Sequence, residues 1–199
     1  MKLTNKKSLQ ALQLFAAKSD VRYYLNGVLA TPDKLTATDG HKLIQIPYLE
    51  LSPDAYPGLD DREESDSPES IISNDTIAGA VKNAKKHTLP VLDETVAIRD
   101  FGDKIELSST DTDNTQSVQG RKIDGRYPEL KNMYATDDKK AVTVRMGYPQ
   151  LIALGNAIRI LGAQGAALTV NGNGGMVTFK IEVKDQGEPV TGILMPMQV

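Results

Sequence analysis

Residues 9–16 read LQALQLFA, and Leu9, Leu12 and Ala16 recur in this stretch at the spacing of one helical face, with Phe15 nearby. Turn signals at residues 31–33 and 39–40 interrupt the sequence that follows. Around these turns lie three β-like runs, at residues 22–30, 34–38 and 42–46. The pattern predicts one helix followed by three short strands.

The same order recurs in the next part of the chain. A second apolar stripe predicts a helix, and it consists of Ile77, Ala80, Val81 and Ala84. Asn74 or Asp75 is predicted to cap this helix, because either side chain can accept a hydrogen bond from the first turn. Three β-like runs follow at residues 95–99, 104–109 and 116–122, with a hairpin turn predicted at Gly102-Asp103.

A third unit begins near residue 142. Residues 142–146 are predicted to form a strand, and Pro149 suits the first turn of the helix that follows. The stripe of this helix is Leu151, Leu154, Ile158 and Leu161, and later strands are predicted at residues 166–170, 176–183 and 190–195. The sequence therefore predicts an α+β fold in which a β-α-β-β-β unit occurs three times, with negligible sequence identity among the units.

The composition is that of an ordinary soluble globular protein. Of its 199 residues, 40% are hydrophobic and 25% are charged, and the formal net charge is −3. The sequence has no cysteine, which excludes disulfides, thiolate metal sites and thiol nucleophiles. The N-terminus does not resemble a signal peptide, and no segment approaches the roughly 20 apolar residues that span a bilayer. We expect a cytoplasmic protein that does not enter membranes.

The segment at residues 52–70 is rich in Pro, Gly, Ser and acidic residues. The simplest interpretation is a solvated flexible loop, and the alternative is an acidic flap that repels stray DNA. Its carboxylates are Asp60, Asp61, Glu63, Glu64, Asp66 and Glu69.

The sequence offers little support for catalysis or for a bound cofactor. His41 lies beside Asp39, but His87 is the only other histidine, so a typical zinc set cannot be completed. No Gly-x-Ser-x-Gly element is present. The glycine-rich residues 171–175 lack the lysine and serine of a phosphate-binding loop and precede a predicted strand, which favours a hairpin turn. We expect no catalytic residue, no metal and no cofactor.

Basic residues cluster on the predicted helices. Lys82, Lys85 and Lys86 follow the spacing of one helical face, and Arg159 lies on the third helix. Lys6, Lys7 and Lys18 flank the first helix. A solvated face explains any one of these groups, whereas their recurrence on three helices favours a surface that contacts DNA phosphates without reading bases.

Four short segments together resemble the beta sliding clamp of bacterial DNA polymerase III. They are DVRYYLNG at residues 20–27, ATDGHKL at 37–43, IDGRYPE at 123–129 and MPMQV at 195–199. They occur in the order of that family, and the first two keep nearly its spacing. The resemblance implies a DNA-clamp fold, with helices on one face of antiparallel sheets and a non-enzymatic role in DNA replication as a processivity factor.

The resemblance also implies a domain assignment. Residues 1–135 resemble the middle clamp domain, which consists of two half-domains. Residues 138–199 resemble the C-terminal half of the last clamp domain. Clamp rings turn their helices toward double-stranded DNA, so a basic helical face is compatible with an acidic exterior.

The resemblance, together with the basic pattern of the predicted helices, implies two sets of functional residues. The implied pocket would bind short linear motifs of the polymerase and of the clamp loader, and its matching residues are Leu25, Thr38, Gly40, His41, Lys42, Leu43, Pro128, Asn132, Met133, Tyr148, Met195, Pro196 and Met197. The DNA-binding candidates are Arg22, Tyr23, Lys82, Lys85, Lys86 and Arg159. Asn132 and Gln198 stand where the family usually has basic residues, and Lys42 where it often has arginine, which predicts weaker or retuned peptide binding.

Ring closure leaves the functional interpretation open. Three half-domains per chain would reach the twelve of a family ring if four chains assembled, so we hypothesise a homo-oligomeric ring of four. A monomer or an open dimer is the alternative. A truncated clamp-like decoy, which occupies clamp-binding motifs without encircling DNA, is the second functional hypothesis, and an enzyme that uses Asp39 and His41 is the third.

Overall fold

The chain divides into two units, Met1–Glu129 and Leu130–Val199, named here unit 1 and unit 2. The structure is a computed structural model that describes residues 1–40, 42–50, 56–57, 59, 62–65, 67–129, 144–170, 177–182, 189–194 and 196. Short helices and antiparallel sheets make up both units, which confirms the predicted α+β class. Among these residues, no helix is long and apolar enough to cross a membrane.

The described residues of unit 1 form two α-helices and eight strands. In chain order these are β1 Lys2–Asn5, α1 Lys6–Phe15, β2 Gly27–Ala30, β3 Lys34–Thr38, β4 Leu43–Pro47, β5 Ser70–Ser73, α2 Asn74–Asn83, β6 Thr95–Asp100, β7 Lys104–Thr110 and β8 Thr115–Arg121. The order β-α-β-β-β therefore occurs twice. The leading strands β1 and β5 are only four residues long and were not identified individually from the sequence.

The two halves of unit 1 exchange their leading strands. The sheets have the orders β1-β6-β7-β8 and β4-β3-β2-β5, so each half contributes one strand to the other half's sheet. Leu3 of β1 lies opposite Ala97 of β6, and Ile71 of β5 lies opposite Leu29 of β2. Each half therefore completes its sheet only in the presence of the other half.

The helices begin and end in equivalent ways. The Asn5 side chain accepts a hydrogen bond from the Ser8 backbone N–H at 2.8 Å, and the Ser73 hydroxyl accepts one from Thr76 N–H at 3.2 Å. These side chains satisfy N–H groups that have no partner within the helix. Ser73 is thus the N-cap of α2, and the prediction of Asn74 or Asp75 is wrong by one or two residues, because both already have helical backbone.

The predicted apolar stripes form the centre of unit 1. Leu9 and Leu12 of α1 pack with Ile77 and Ala80 of α2 in one buried cluster that also contains Val28 of β2. Full burial of a leucine or isoleucine side chain contributes roughly 1.5–3 kcal/mol to stability. The helical periodicity of the sequence therefore identified the core of this unit correctly.

Helix α2 is shorter than the spacing of its lysines suggested. It ends at Asn83, and Ala84 has extended backbone with φ −66° and ψ 118°. Lys85 and Lys86 consequently lie beyond the helix, and the prediction that they share a helical face with Lys82 is wrong. All three residues are nevertheless exposed.

The segment at residues 52–70 is not wholly a solvated loop. Its described residues include Tyr56, which is buried and whose hydroxyl accepts a hydrogen bond from Thr110 N–H at 3.2 Å. Arg62 lies over the Phe101 ring at 4.4 Å and forms an ion pair with the buried Glu106 at 2.8 Å. Part of this acidic stretch is therefore anchored on the outer face of the β1-β6-β7-β8 sheet.

Unit 2 has one helix and three strands among its described residues. These are α3 Tyr148–Ile160, β9 Ala167–Val170, β10 Val177–Ile181 and β11 Val190–Leu194, and the sheet order is β11-β10-β9. Leu154 of α3 packs on Val177, Ile181 and Leu194. Residues 144–146, the described part of the strand predicted at 142–146, are not in a strand. Leu151, which was predicted to belong to the buried stripe of α3, is half exposed.

Candidate functional site

Two segments that are distant in sequence, residues 20–27 and residues 123–129, meet at one edge of unit 1. Tyr23–Leu25 form a 3₁₀ turn rather than the start of the strand predicted at residues 22–30. The Asp20 carboxylate accepts a hydrogen bond from Arg22 N–H at 2.8 Å, which favours a local turn over an extended strand. A Cβ on Gly125 would come within 2.9 Å of the Tyr24 Cβ, so glycine permits the segment around it to lie against this turn.

Tyr127 fastens the second segment to strand β3. Its hydroxyl accepts a hydrogen bond from Thr38 N–H at 3.0 Å, and its ring is buried with Leu25, Leu29 and Ile71. Burial raises the pKa of Tyr127 to about 12, although the Thr38 N–H acts in the opposite direction. The hydroxyl therefore stays protonated and holds the edge together at neutral pH.

The turn that joins β3 to β4 is ordered by its own side chains. The Thr38 hydroxyl donates a hydrogen bond to the Lys42 carbonyl at 2.7 Å and accepts one from Gly40 N–H at 3.0 Å. Gly40 has φ +90°, a conformation that residues with a Cβ rarely adopt. The Asp39 carboxylate accepts from Lys42 N–H at 2.9 Å. The Asp39-Gly40 turn predicted from the sequence is confirmed.

The charged side chains at this edge are arranged in pairs. Arg22 forms an ion pair with Asp20 at 2.8 Å and donates to the Asp39 carbonyl at 3.3 Å, while Lys42 pairs with the Asp39 carboxylate. Arg22 and Lys42 remain about half exposed. Because each cation has a neighbouring carboxylate, the attraction of either one for an anionic ligand is reduced.

Six of the predicted pocket residues lie in the described part of unit 1. Leu25 and Thr38 are buried, Leu43 and Pro128 are half-buried, and Gly40 and Lys42 are exposed. Leu43 lies opposite Thr38 in the β3–β4 ladder, and Pro128 follows the anchored Tyr127. In unit 2, Tyr148 is exposed at the start of α3 and Pro196 is half-buried. His41, Asn132, Met133, Met195 and Met197 lie outside the described residues.

Sequence reasoning missed a neighbouring cavity of about 650 Å³. Its floor is apolar and includes Leu29, Ile71 and Ile123, and Tyr127 forms part of its wall. Charges of both signs surround it, including Glu69, Asp103, Arg121, Lys122, Asp124 and Arg126. Arg121, Lys122, Asp124 and Arg126 are close together in sequence, but nothing in the linear sequence predicts that Glu69 and Asp103 lie beside them.

The helices of unit 1 present a basic surface. Lys7 and Lys82 are exposed on α1 and α2, and Lys18, Lys85 and Lys86 are exposed just beyond the helix ends. Asp75 is the one exposed carboxylate on the two helices. This sign of charge is the one that attracts phosphates, although the chain as a whole carries a charge of −3.

The other DNA-binding candidates are distributed over both units. Tyr23 is exposed, and its ring meets that of Tyr24 edge-on with a centroid distance of 5.8 Å. Arg159 is exposed in the last turn of α3, where it donates a hydrogen bond to the Asn156 side chain at 3.3 Å. Lys6, which flanks the first helix, has a structural contact, because its ammonium donates to the Ala84 carbonyl at 3.0 Å.

The described residues contain no group of three or more His, Asp and Glu side chains that is positioned to hold a metal ion.

The comparisons with known proteins point to one fold. No protein-family model matches the sequence, and no curated protein matches it. Solved structures do match. The Caulobacter crescentus beta sliding clamp, solved with polyethylene glycol at the region assigned to beta-motif tethering, has a TM-score of 0.64 and 18% identity over 98% of this chain and 50% of its own.

Two further structures agree with this match. The DNA polymerase III beta subunit of Pseudomonas aeruginosa has a TM-score of 0.61 and 20% identity, and covers 98% of this chain and 50% of its own. The Helicobacter pylori beta clamp, solved in complex with carprofen, has a TM-score of 0.68 and 12% identity, and covers 100% of this chain and 50% of its own. The fold is therefore that of the DNA polymerase III beta sliding clamps, and the chain spans about half the length of these structures.

Proposed function

We propose that this chain is a non-enzymatic sliding-clamp subunit that binds short linear motifs of replication proteins and contacts duplex DNA without sequence preference. One observation carries the proposal. The described residues of the segments 20–27, 37–43 and 123–129, which resemble the clamp family, lie together at one edge of unit 1, where a hydrogen bond joins Thr38 and Tyr127.

The chemistry of this edge suits an apolar peptide side chain. Leu25 and Tyr127 are buried beneath this edge, while Leu43 and Pro128 are half-buried and retain surface that a ligand can cover. Among the described residues of unit 1, Leu43 belongs to no buried cluster, whereas its neighbours Ile44 and Ile46 pack on the core. Its exposed surface is therefore available for binding rather than committed to folding.

The proposal extends the site to the predicted residues outside the described part of unit 1. In this proposal, the pocket is completed by the other residues named from the resemblance, which are His41, Asn132, Met133, Tyr148, Met195, Pro196 and Met197. In the same scheme, residues 1–135 act as the middle clamp domain and residues 138–199 as the C-terminal half of the last domain.

A peptide-binding experiment tests the pocket. The probe is a labelled clamp-binding peptide from a bacterial replicative polymerase, measured by fluorescence anisotropy. We expect Leu43→Ala to weaken its binding about tenfold, which corresponds to the loss of roughly 1.4 kcal/mol. Leu89→Ala is the matched control, because Leu89 is a half-exposed leucine outside the site. Equal affinities for the two variants would contradict the assignment of Leu43.

Removal of residues 195–199 provides a second test of the same pocket. The last strand β11 ends at Leu194, which packs in the core of unit 2, so this deletion spares the core strand. We expect the deletion to abolish peptide binding. Unchanged binding, together with an unchanged melting temperature, would show that the peptide binds elsewhere.

The basic helical surface would hold the chain on DNA. Phosphate contacts of this kind release counterions, so the affinity should fall as salt concentration rises. We expect reversal of Lys82, Lys85 and Lys86 to glutamate to weaken binding to a duplex and to flatten its salt dependence. Reversal of Lys104, Arg121 and Lys180 is the control, because these residues are exposed, lie off the helices and give the same net charge.

The alternative function is that of a clamp-like decoy, which would occupy clamp-binding motifs without encircling DNA. The half-length match to the clamps motivates it. Retention on circular DNA separates the two functions, because an encircling ring stays on a closed circle and slides off after linearisation. Peptide binding without any topological retention would favour the decoy.

A further inference from the structure

Unit 2 contains once the arrangement that unit 1 contains twice. Helix α3 and the sheet order β11-β10-β9 correspond to α1 with β4-β3-β2 and to α2 with β8-β7-β6. In unit 1 the outer edge of β2 pairs with β5 and that of β6 pairs with β1. Among the described residues of unit 2, no strand pairs with the outer edge of β9.

The helix caps allow the buried positions of the units to be compared. The N-caps of α1, α2 and α3 are Asn5, Ser73 and Gly147. The fourth residue after the N-cap is Leu9 in α1, Ile77 in α2 and Leu151 in α3. Leu9 and Ile77 are 0% exposed, whereas Leu151 is 50% exposed. A position that the opposite half covers completely in unit 1 is thus left half open in unit 2.

The strand next to the open edge shows the same difference. Val28, Val96 and Leu168 are the second residues of β2, β6 and β9. Val28 and Val96 are 0% exposed, and Leu168 is 52% exposed although it lies opposite Phe179, on the core face of its sheet. Helix and sheet therefore each expose one core position toward the place that the second half occupies in unit 1.

We propose that a second copy of this chain covers this surface, so that two copies of unit 2 together form one complete clamp domain about a two-fold axis. Unit 1 supplies the precedent, because its halves have the same element order and complete each other by a reciprocal contact. In a reciprocal contact the same patch serves both partners, which is the geometry of a closed dimer.

The charges of this surface of unit 2 are compatible with self-association. Arg159, in the last turn, is the only charged residue of α3, and β9 has none. Self-association therefore brings no like charges together around Leu151 and Leu168. Strand β9 also lacks the lysine and proline residues by which natural proteins commonly protect an unpaired edge, which favours a paired one.

The arrangement makes a specific geometric prediction. Met146 directly precedes the cap of α3, so its counterparts in unit 1 are Thr4 and Ile72, which pair with Val96 and Val28. Met146 of one copy should accordingly lie opposite Leu168 of the other. Residues 144–146 would become a strand only in the assembled pair, because β1 and β5 are likewise paired only with the other half.

Native mass tests the association. Light scattering of the full chain over a concentration series should show a dimer or an even-numbered assembly, and Leu151→Lys or Leu168→Lys should shift it toward half that mass. Leu14→Lys is the control, because Leu14 is a leucine of α1 that is 70% exposed. A monomer at all concentrations, or an assembly that both lysine variants leave unchanged while they remain folded by circular dichroism, would overturn the proposal.

Cross-linking tests the geometry independently of those variants. The sequence has no cysteine, so every disulfide must come from introduced residues. Residues opposite each other in an antiparallel pair have Cα atoms roughly 4.5–5.5 Å apart, within reach of a disulfide. A mixture of the Met146→Cys and Leu168→Cys variants should yield a cross-linked dimer, and neither variant alone should do so.

An oligomer without this cross-link would indicate that the copies associate through another surface, and it would reject the two-fold arrangement. The proposal depends on the fold and not on the proposed pocket or DNA contacts. Loss of peptide or DNA binding would therefore not contradict the proposed dimer, and a failed test of the dimer would not contradict the proposed pocket.

Discussion

The Tyr127 hydroxyl accepts the backbone N–H of Thr38 at 3.0 Å, across 89 positions of the chain. This single contact connects a residue that follows the second sheet of unit 1 with the end of a strand in the first sheet. Because Thr38 also orders the turn that follows it, the bond sets the position of the whole candidate peptide-binding edge.

Replacement of Tyr127 by phenylalanine should therefore affect stability and binding together. The change leaves a buried N–H without its acceptor, at a cost of about 1–3 kcal/mol. We expect a lower urea midpoint and weaker binding of the polymerase-derived peptide. Tyr23→Phe is the control, since that ring is exposed, and a Tyr127→Phe protein with unchanged peptide affinity would argue against the edge as the binding site.

The same tyrosine predicts a loss of stability in alkaline solution. Burial raises its pKa from 10.0 to about 12 in the folded chain, so the folded state disfavours ionisation. Its contribution is complete below pH 10 and disappears as the pH rises toward 12. Unfolding free energies over this range should fall less steeply for Tyr127→Phe than for the natural sequence, and parallel curves would contradict this account.

Glu106 leads us to predict a loss of stability in acidic solution. Burial alone would raise its pKa, but hydrogen bonds from Arg62, Gln119 and Arg99 lower it from 4.5 to about 2. The stabilisation that results is present above pH 4.5 and is lost as the pH falls toward 2. We expect Glu106→Gln to destabilise the chain by about 3–5 kcal/mol at neutral pH, because a buried arginine loses its carboxylate, and the deficit should shrink in acid.

Glu129→Gln is the appropriate control for this experiment. Glu129 pairs with Arg126, but both side chains are largely exposed, so the pair contributes little. A deficit of the Glu106→Gln protein that stays constant from pH 7 to pH 3, measured by urea unfolding, would show that the carboxylate charge is not responsible.

The corrected cap of α2 is also testable. Ser73→Ala should lower the free energy of unfolding by about 1 kcal/mol, because the Thr76 N–H loses its acceptor. Asn5→Ala should have a similar cost at the equivalent position of α1. Asp75→Ala should cost less, since Asp75 lies within the first turn, and a larger effect there would restore the original assignment of the cap.

Local pattern explains which parts of the fold were predictable. Leu9, Leu12, Ile77 and Ala80 recur with helical period, and that period depends only on neighbours along the chain. The short strands at Lys2–Asn5 and Ser70–Ser73 carry no such signal, because each becomes a strand by pairing with residues of the other half. Lys85 was misplaced because Ala84, an excellent helix former, ends the helix without a glycine or proline to mark the boundary.

The candidate site was predictable only in part. Its residues were named from a resemblance, and the described structure brings Leu25, Thr38 and Leu43 to one edge of unit 1. The pocket as a whole stays a prediction. The neighbouring cavity beside Tyr127 was not foreseen, because its rim combines charges from strand, turn and loop that only the fold brings together.

The exchange of β1 and β5 has a consequence for the chain during its synthesis. The sheet around β2 cannot be completed until residues 70–73 have left the ribosome, and β1 has no strand to pair with until residues 95–98 follow. The first half therefore has an unpaired sheet edge and an incompletely packed helix while tens of further residues are added. Contacts of such long sequence separation slow folding, so we expect the emerging first half to be prone to aggregation until these strands can pair.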